Sequence, residues 1–294
     1  MLTKPLVSII IATTCEAKRS SMLHRAIASI VGQNGVDLEA IIVVNGGLCE
    51  EATLTSLAEY PRLRIIRLRE GNVSAARYAG ACASQAAFFG FLDDDDEFLP
   101  DGLQHRVALF SRHHDADVVV TNGHVHVGCD KPLVPAAVGE TANQEPAQSL
   151  LRFNWFASPG SLFRAETIDK ALFDIRYKYF EWTYLFFLLL LKKKKIVYDP
   201  ALTYRKYEDH PMSVSKSVEY AMAYPEFLTV LLNMPLDHGT VRLLRKKYWS
   251  ALNAVSRTEM AHGRMRQAWW AHLKCIAKGG WRYLPYTWHL LKPL

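Results

Sequence analysis

"AFFGFLDDDDEFLP", residues Ala87 to Pro100, sets a short apolar run directly against four consecutive aspartates. Adjacent carboxylates repel, and the plain reading is a solvated turn or a helix N-terminus, both of which aspartate favours. What lies upstream changes the weighing. "PLVSIIIA" is continuous and β-branched, as suits a strand buried on both faces, and a helix is expected from Ser21 to Val31. "LEAIIVVN" is a second such strand, closed by Asn45-Gly46-Gly47 and followed by a helix from about Glu50 to Glu59. "LRIIRL" makes a third strand, "VSAARYAGACASQAA" a helix of small residues, and "FFGFL" the fourth strand. The order βαβαβαβ predicts a parallel sheet with helices on both faces. Ligands bind outside the carboxyl ends of such strands, where "TTCEAKRS", "NGG" and "DDDDE" all fall. Beyond Pro100, a helix from about Asp101 to His113 and the strand "ADVVVT" continue the pattern, and Gly128 to Ala147 reads as a long loop or lid.

An extended segment alternates its side chains, so Asp93 and Asp95 are expected to share one face and Asp94 and Asp96 the other. A hard divalent cation such as Mg²⁺ or Mn²⁺ relieves repulsion between two such carboxylates, and it keeps positions open for phosphate oxygens. Asp-x-Asp at a strand end therefore points to metal-bridged diphosphate binding.

The segments "PLVSIIIAT", "LHRAIASIVGQ", "LEAIIVVNGG", "GNVSAARYAGACAS" and "FFGFLDDDDEFLPDGL" occur in an order and at spacings that resemble the family 2 glycosyltransferases. The resemblance covers about the first 110 residues, with a weaker match between Tyr179 and Ser215. It implies a GT-A-type Rossmann-like mixed sheet with helices on both faces, to which the tail's own composition adds a helical C-terminal extension. It also implies inverting sugar transfer from a nucleotide-diphosphate donor. By the same resemblance, Asp93 lies near the donor ribose and Asp95 is the metal ligand at the diphosphate. Thr13 and Thr14 border the nucleobase, where the family more often has Pro-Thr-Tyr. Asn45 stands where most members have an aspartate facing the base, which leaves the nucleobase open, and Arg77 matches an arginine near the nucleotide.

Inversion needs a carboxylate that accepts the acceptor hydroxyl's proton. The family usually carries it in a Glu-Asp pair opening a helix; in "KYFEWTYLFFLLL" only Glu181 is acidic, and it is the expected base, with Glu208 and Asp209 as weaker candidates. His210, in "LTYRKYEDHPMSVSK", matches a histidine that completes the metal shell in some members. Each assignment has a structural alternative: a surface arginine at Arg77, a helix-terminal acid at Glu181, a loop histidine at His210.

The 294 residues, half of them hydrophobic, are enough for a full core. The net charge of +6 is unevenly placed: from Gly239 onward there are 11 Lys or Arg against the single acid Glu259, so the first 238 residues are net acidic. Five of the seven tryptophans lie between Tyr248 and Trp288, interleaved with those cations. That composition fits an interfacial helix at an anionic membrane, or alternatively a flank of the catalytic domain or a dimer contact. No RNA-binding signature accompanies it, and nucleic acid is not an expected partner. Cys15, Cys49, Cys82, Cys129 and Cys275 show no CxxC pair, which fits a reducing cytosol, and the N-terminal apolar run reads as a strand. No apolar stretch reaches the ~20 residues of a spanning helix.

The expected organisation is a catalytic domain over residues 1–215, divided at 122 into nucleotide-sugar and acceptor halves, and a basic, Trp-rich helical extension over 216–294. The expected function is metal-dependent inverting transfer to a glycan or lipid-linked acceptor in cell-surface polysaccharide or lipopolysaccharide assembly, at the inner face of the cell membrane. A non-catalytic nucleotide-sugar or membrane-surface protein that has lost the acidic pair is the alternative. A nucleotidyltransferase would open with a Gly-rich, Arg-containing loop, which "IIATTCEAKRS" lacks.

Overall fold

The computed structural model describes residues 5–69, 71–208 and 217–291, and the chain divides into two compact units, Met1–Asp209 and His210–Leu294. In the first unit, β1 (Val7–Thr13), a 3-10 turn (Ala17–Arg19) and α1 (Ser20–Val31) lead to β2 (Leu38–Asn45), α2 (Glu51–Leu57), β3 (Leu63–Leu68), α3 (Val73–Ala83) and β4 (Phe88–Phe91). The short β5 (Glu97–Phe98), α4 (Gly102–Arg112), β6 (Val118–Val127), β7 (Cys129–Pro132), α5 (Val138–Gln144) and α6 (Pro146–Arg152) follow. β8 (Ser161–Arg164), α7 (Glu181–Leu191) and β9 (Ile196–Tyr207) complete the unit.

One sheet has the order β3-β2-β1-β4-β8-β6-β9-β5, with β7 paired to β6. β3, β2, β1 and β4 are mutually parallel, β8 is antiparallel to both neighbours, and β6 and β9 are parallel to each other. The sheet is therefore mixed, of the expected GT-A type. The parallel half brings the ends of β1, β2 and β4 to one edge. Its interior is what the β-branched runs predict: every residue of β2 is buried, and so is nearly all of β1. The small residues of α3 have a steric reason, since a Cβ on Gly80 would come within 2.4 Å of the Ile10 side chain. That clearance lets α3 lie close on β1 and carries Arg77 to the strand ends.

Two expectations need correction. The stretch from Gly128 to Ala147 is not a loop or lid. β6 runs on to Val127, turns at Gly128 (φ +68°) and pairs back as β7, and α5 and the start of α6 follow. The polar composition concealed an anchored segment: Val138 and Ala142 are buried, and the Asn143 amide both donates to and accepts from the Tyr198 backbone. Nor are the aspartates extended; the Asp96 N–H donates to the Asp93 carbonyl at 3.1 Å, closing a turn.

The second unit is helical. α8 (Val218–Leu232), α9 (His238–Ala261) and α10 (Met265–Gly279) are followed by a 3-10 stretch (Trp281–Thr287) and α11 (Trp288–Leu291). Ser217 and Asp237 cap α8 and α9 by accepting from the Tyr220 and Thr240 N–H groups. On α10, Ala268, Ala271, His272 and Cys275 form the buried stripe, while Trp270 and Leu273 face outward. Among the described residues no helix is long and apolar enough to cross a membrane.

Candidate active site

The turn after β4 sorts its four carboxylates by burial. Asp94 and Asp96 are buried, and Asp93 and Asp95 are partly exposed, so the expected two-and-two division holds in burial although the backbone is bent. Asp94 is an internal tie. It accepts from the Thr13 hydroxyl at 2.6 Å and from Arg19 Nε at 3.0 Å, and a second Arg19 nitrogen closes on its other oxygen. Arg19 also reaches Asp95 at 3.2 Å. Asp96 accepts from the Tyr207 N–H at 3.1 Å through Oδ1, and its buried Oδ2 is without a partner.

One of the partly exposed pair, Asp93, shares its cation with a third carboxylate. Arg77 donates from Nη2 to Asp93 at 2.9 Å and from Nη1 to Glu181 at 3.1 Å, so one guanidinium joins residues from α3, the acid turn and the first position of α7. Glu181 owes its place to its neighbours. The helix N-terminus favours a negative charge. Trp182, next in sequence, packs its ring 5.5 Å from that of Phe91 and 5.8 Å from that of Phe156. Leu185, Phe186, Phe187 and Leu189 bury the rest of the helix. The aromatic residues beside the lone glutamate thus anchor it.

Burial, and then the charges of Asp93 and Asp94, raise the Asp95 carboxyl above its ordinary value, with Arg19 opposing. Asp96 is raised well above the usual range, chiefly by burial and then by Asp93 and Asp95. Such a turn carries more negative charge than its arginines balance. Asp93 and Asp95 also offer hard oxygen donors, so the residues fit Mg²⁺ or Mn²⁺. Among the described residues no group of three His, Cys, Asp or Glu gathers around one point, so the remaining ligands would be water and diphosphate oxygens.

The residues expected at the nucleobase divide. Thr13 is buried with its hydroxyl on Asp94, and Asn45 is buried with its amide nitrogen on the Thr13 carbonyl at 3.2 Å, so both side chains tie strand ends together. Thr14 is partly exposed and donates to Glu16 at 2.9 Å. Glu208 pairs with Lys206 at 2.9 Å, while Asp209 and His210 lie outside the described residues. Sequence reasoning missed Arg19. It lies within the quoted "TTCEAKRS", and the signal was electrostatic: four adjacent acids need a cation at the neighbouring strand end.

The family model described as glycosyl transferase family 2 matches residues 8–158. An uncharacterised glycosyltransferase of Rickettsia typhi is 25% identical over 200 residues, which cover 68% of this chain and 55% of that protein. The succinoglycan biosynthesis protein ExoO of Rhizobium meliloti is 33% identical over 84 residues, 28% of this chain and 24% of that protein. The chain thus spans about half, or less, of the length of these curated relatives. Among solved structures, residues 1–349 of S. aureus TarS in complex with UDP-GlcNAc superpose with a TM-score of 0.62 at 16% identity, covering 94% of this chain and 82% of that one. At that identity the likeness is one of fold.

Proposed function

The chain belongs to glycosyl transferase family 2, and from that premise we propose that it is a metal-dependent inverting glycosyltransferase moving a sugar from a nucleotide-diphosphate donor to a glycan or lipid-linked acceptor. One observation carries the reading: a single guanidinium, Arg77, pairs with both the Asp-x-Asp carboxylate Asp93 and the helix-terminal Glu181. The donor-side acid and the base candidate are thereby held in one constellation, as a single displacement requires.

In this reading Asp95, with Asp93 beside it, would hold Mg²⁺ or Mn²⁺. When bound, that cation neutralises charge on the departing diphosphate. Glu181 Oε2, the oxygen not engaged by Arg77 in the hydrogen bond described, takes the acceptor proton as the acceptor oxygen attacks the anomeric carbon from the face opposite the leaving group. Arg19 holds the turn rigid through Asp94. His210 remains the proposed imidazole ligand. Residues 1–215 form the proposed catalytic domain, and 216–294 the extension.

The setting proposed is cell-surface polysaccharide assembly, which the similarity to a succinoglycan biosynthesis protein supports. Peripheral attachment to the inner face of an anionic membrane is proposed for the extension, since Trp270, Trp281 and Trp288 are all more than half exposed within a basic stretch of sequence. A screen of UDP, GDP, dTDP and CMP sugars with Mn²⁺, read by thermal shift and donor hydrolysis, tests the reading. A Mn²⁺-dependent rise in Tm with one donor, lost in Asp95→Ala, is expected. No shift with any donor, or binding untouched by Asp95→Ala, overturns it; binding without turnover leaves the non-catalytic alternative.

A further inference from the structure

The loops after β1 and β2 each carry a cysteine that the proposed transfer does not use. Cys15 is fully buried, with its backbone in the left-handed region (φ 55°), and Cys49 is half-buried. The two loops are joined beside these residues, for the Glu50 N–H donates to the Cys15 carbonyl at 3.0 Å. Both side chains pack into the same apolar cluster, and the Cys49 thiol lies 3.8 Å from the carbonyl of Glu50, the residue whose N–H meets Cys15. Burial, and then the neighbouring Cys49 thiol, push the Cys15 thiol up to about 12. The Arg67 guanidinium opposes that shift at Cys15, and Cys49 is the one of the two that solvent reaches. The more accessible Cys49 is accordingly the attacking thiol and Cys15 the resolving one.

We propose that Cys15 and Cys49 are a modification site, a dithiol that closes reversibly to a disulfide across the two loops. The oxidant is a low-molecular-weight disulfide. The Cys49 thiolate attacks one of its sulfurs, the S–S bond breaks, and one small thiolate leaves. Cys15 then attacks the Cys49 sulfur of the mixed disulfide, its proton passing to solvent as the second small thiolate leaves. Two electrons pass from the protein dithiol to the oxidant, giving one protein disulfide and two small thiols. The sulfurs must close to about 2.05 Å, which draws the loops together. These loops begin at Thr14 and Gly46, at the strand ends where the donor nucleotide is proposed to bind, so closure narrows that site; this regulatory consequence rests on the function proposed above.

The full chain is incubated with oxidised glutathione, alkylated, digested and mapped by mass spectrometry. A peptide linking Cys15 to Cys49 is expected, with the exposed Cys82 and Cys129 carrying glutathione singly. Cys15→Ser should trap glutathione on Cys49; should that variant not fold, Cys49→Ser serves, with Cys15 staying unmodified. A lasting glutathione adduct on Cys49 in the unsubstituted chain, or two free thiols, overturns the proposal. Oxidation should also weaken binding of UDP with Mn²⁺ at least fivefold, reversed by dithiothreitol and absent in Cys49→Ser. Linkage with unchanged affinity overturns the regulatory part, whereas a reduced protein that binds no nucleotide overturns the donor assignment and leaves the mapping result standing.

Discussion

The acid turn after β4 and the helices from α9 onward are both crowded with like charge, but only the first surrounds it with counter-charge. Asp94 has Arg19, Asp93 and Glu181 share Arg77, and Glu97 has Arg205. From α9 onward, among the described residues, the ion pair is Arg264 with Glu259, and two further cations lie over aromatic rings. Lys274 lies 4.7 Å from the Trp270 ring centre and Arg282 4.9 Å from that of Trp249. Charges fixed by partners hold a geometry, which is what a reacting centre needs. Cations left without acids beside exposed indoles are available to something outside the chain.

The comparison breaks most readily at Glu181. Glu181→Gln keeps an acceptor for Arg77 but removes the proposed base, so transfer should fall roughly 10²–10⁴-fold while nucleotide affinity stays within about twofold. Radiolabelled sugar transfer and calorimetry separate the two, and normal turnover would move the base elsewhere. Arg77→Ala comes next. It leaves two partly buried carboxylates without their shared partner, and chemical denaturation should show a loss of about 1–3 kcal/mol, less than for a fully buried pair because Asp93 and Glu181 retain some solvent. Adding Glu181→Gln should restore part of that loss, as a double-mutant cycle would read.

The helical side is sharpened by Trp281→Ala with Trp288→Ala. These side chains are 82% and 67% exposed, so Tm should hold while partition onto phosphatidylserine-containing vesicles falls about tenfold and becomes less tolerant of salt. Equal partition on neutral vesicles would instead assign these rings to an apolar partner surface.

The parallel half of the sheet was legible because its strands are buried on both faces, and a β-branched run such as "IIIA" or "AIIVV" admits little else. The segment after Gly128 was not, because what anchors it is a pair of backbone bonds from one amide, Asn143, which no periodicity records. At the site, the acids announced themselves by position and the cations did not. Arg77 was reached through the family resemblance alone, and Arg19 was passed over, since a guanidinium's partner is set by which strand ends adjoin. The buried orientation of Thr13 and Asn45 likewise depends on the β1–β2 register, in which Thr13 pairs with Val44.

Asp96 gives the smallest effect and the clearest sign. Its folded carboxyl is raised above the unfolded value, so its contribution to stability is fully present below the ordinary carboxylate pKa, about pH 4, and is lost as pH rises through the raised folded value. Asp96→Asn keeps the acceptor for the Tyr207 N–H and never acquires the charge. The variant's Tm should therefore match or trail the wild type in acid and overtake it by a few degrees toward neutral pH and above. A difference that shrinks as pH rises would mean that the buried carboxylate is ionised and welcomed by its surroundings. The turn would then hold its charge without needing a cation, and the contrast with the helical unit would rest on Arg19 and Arg77 alone.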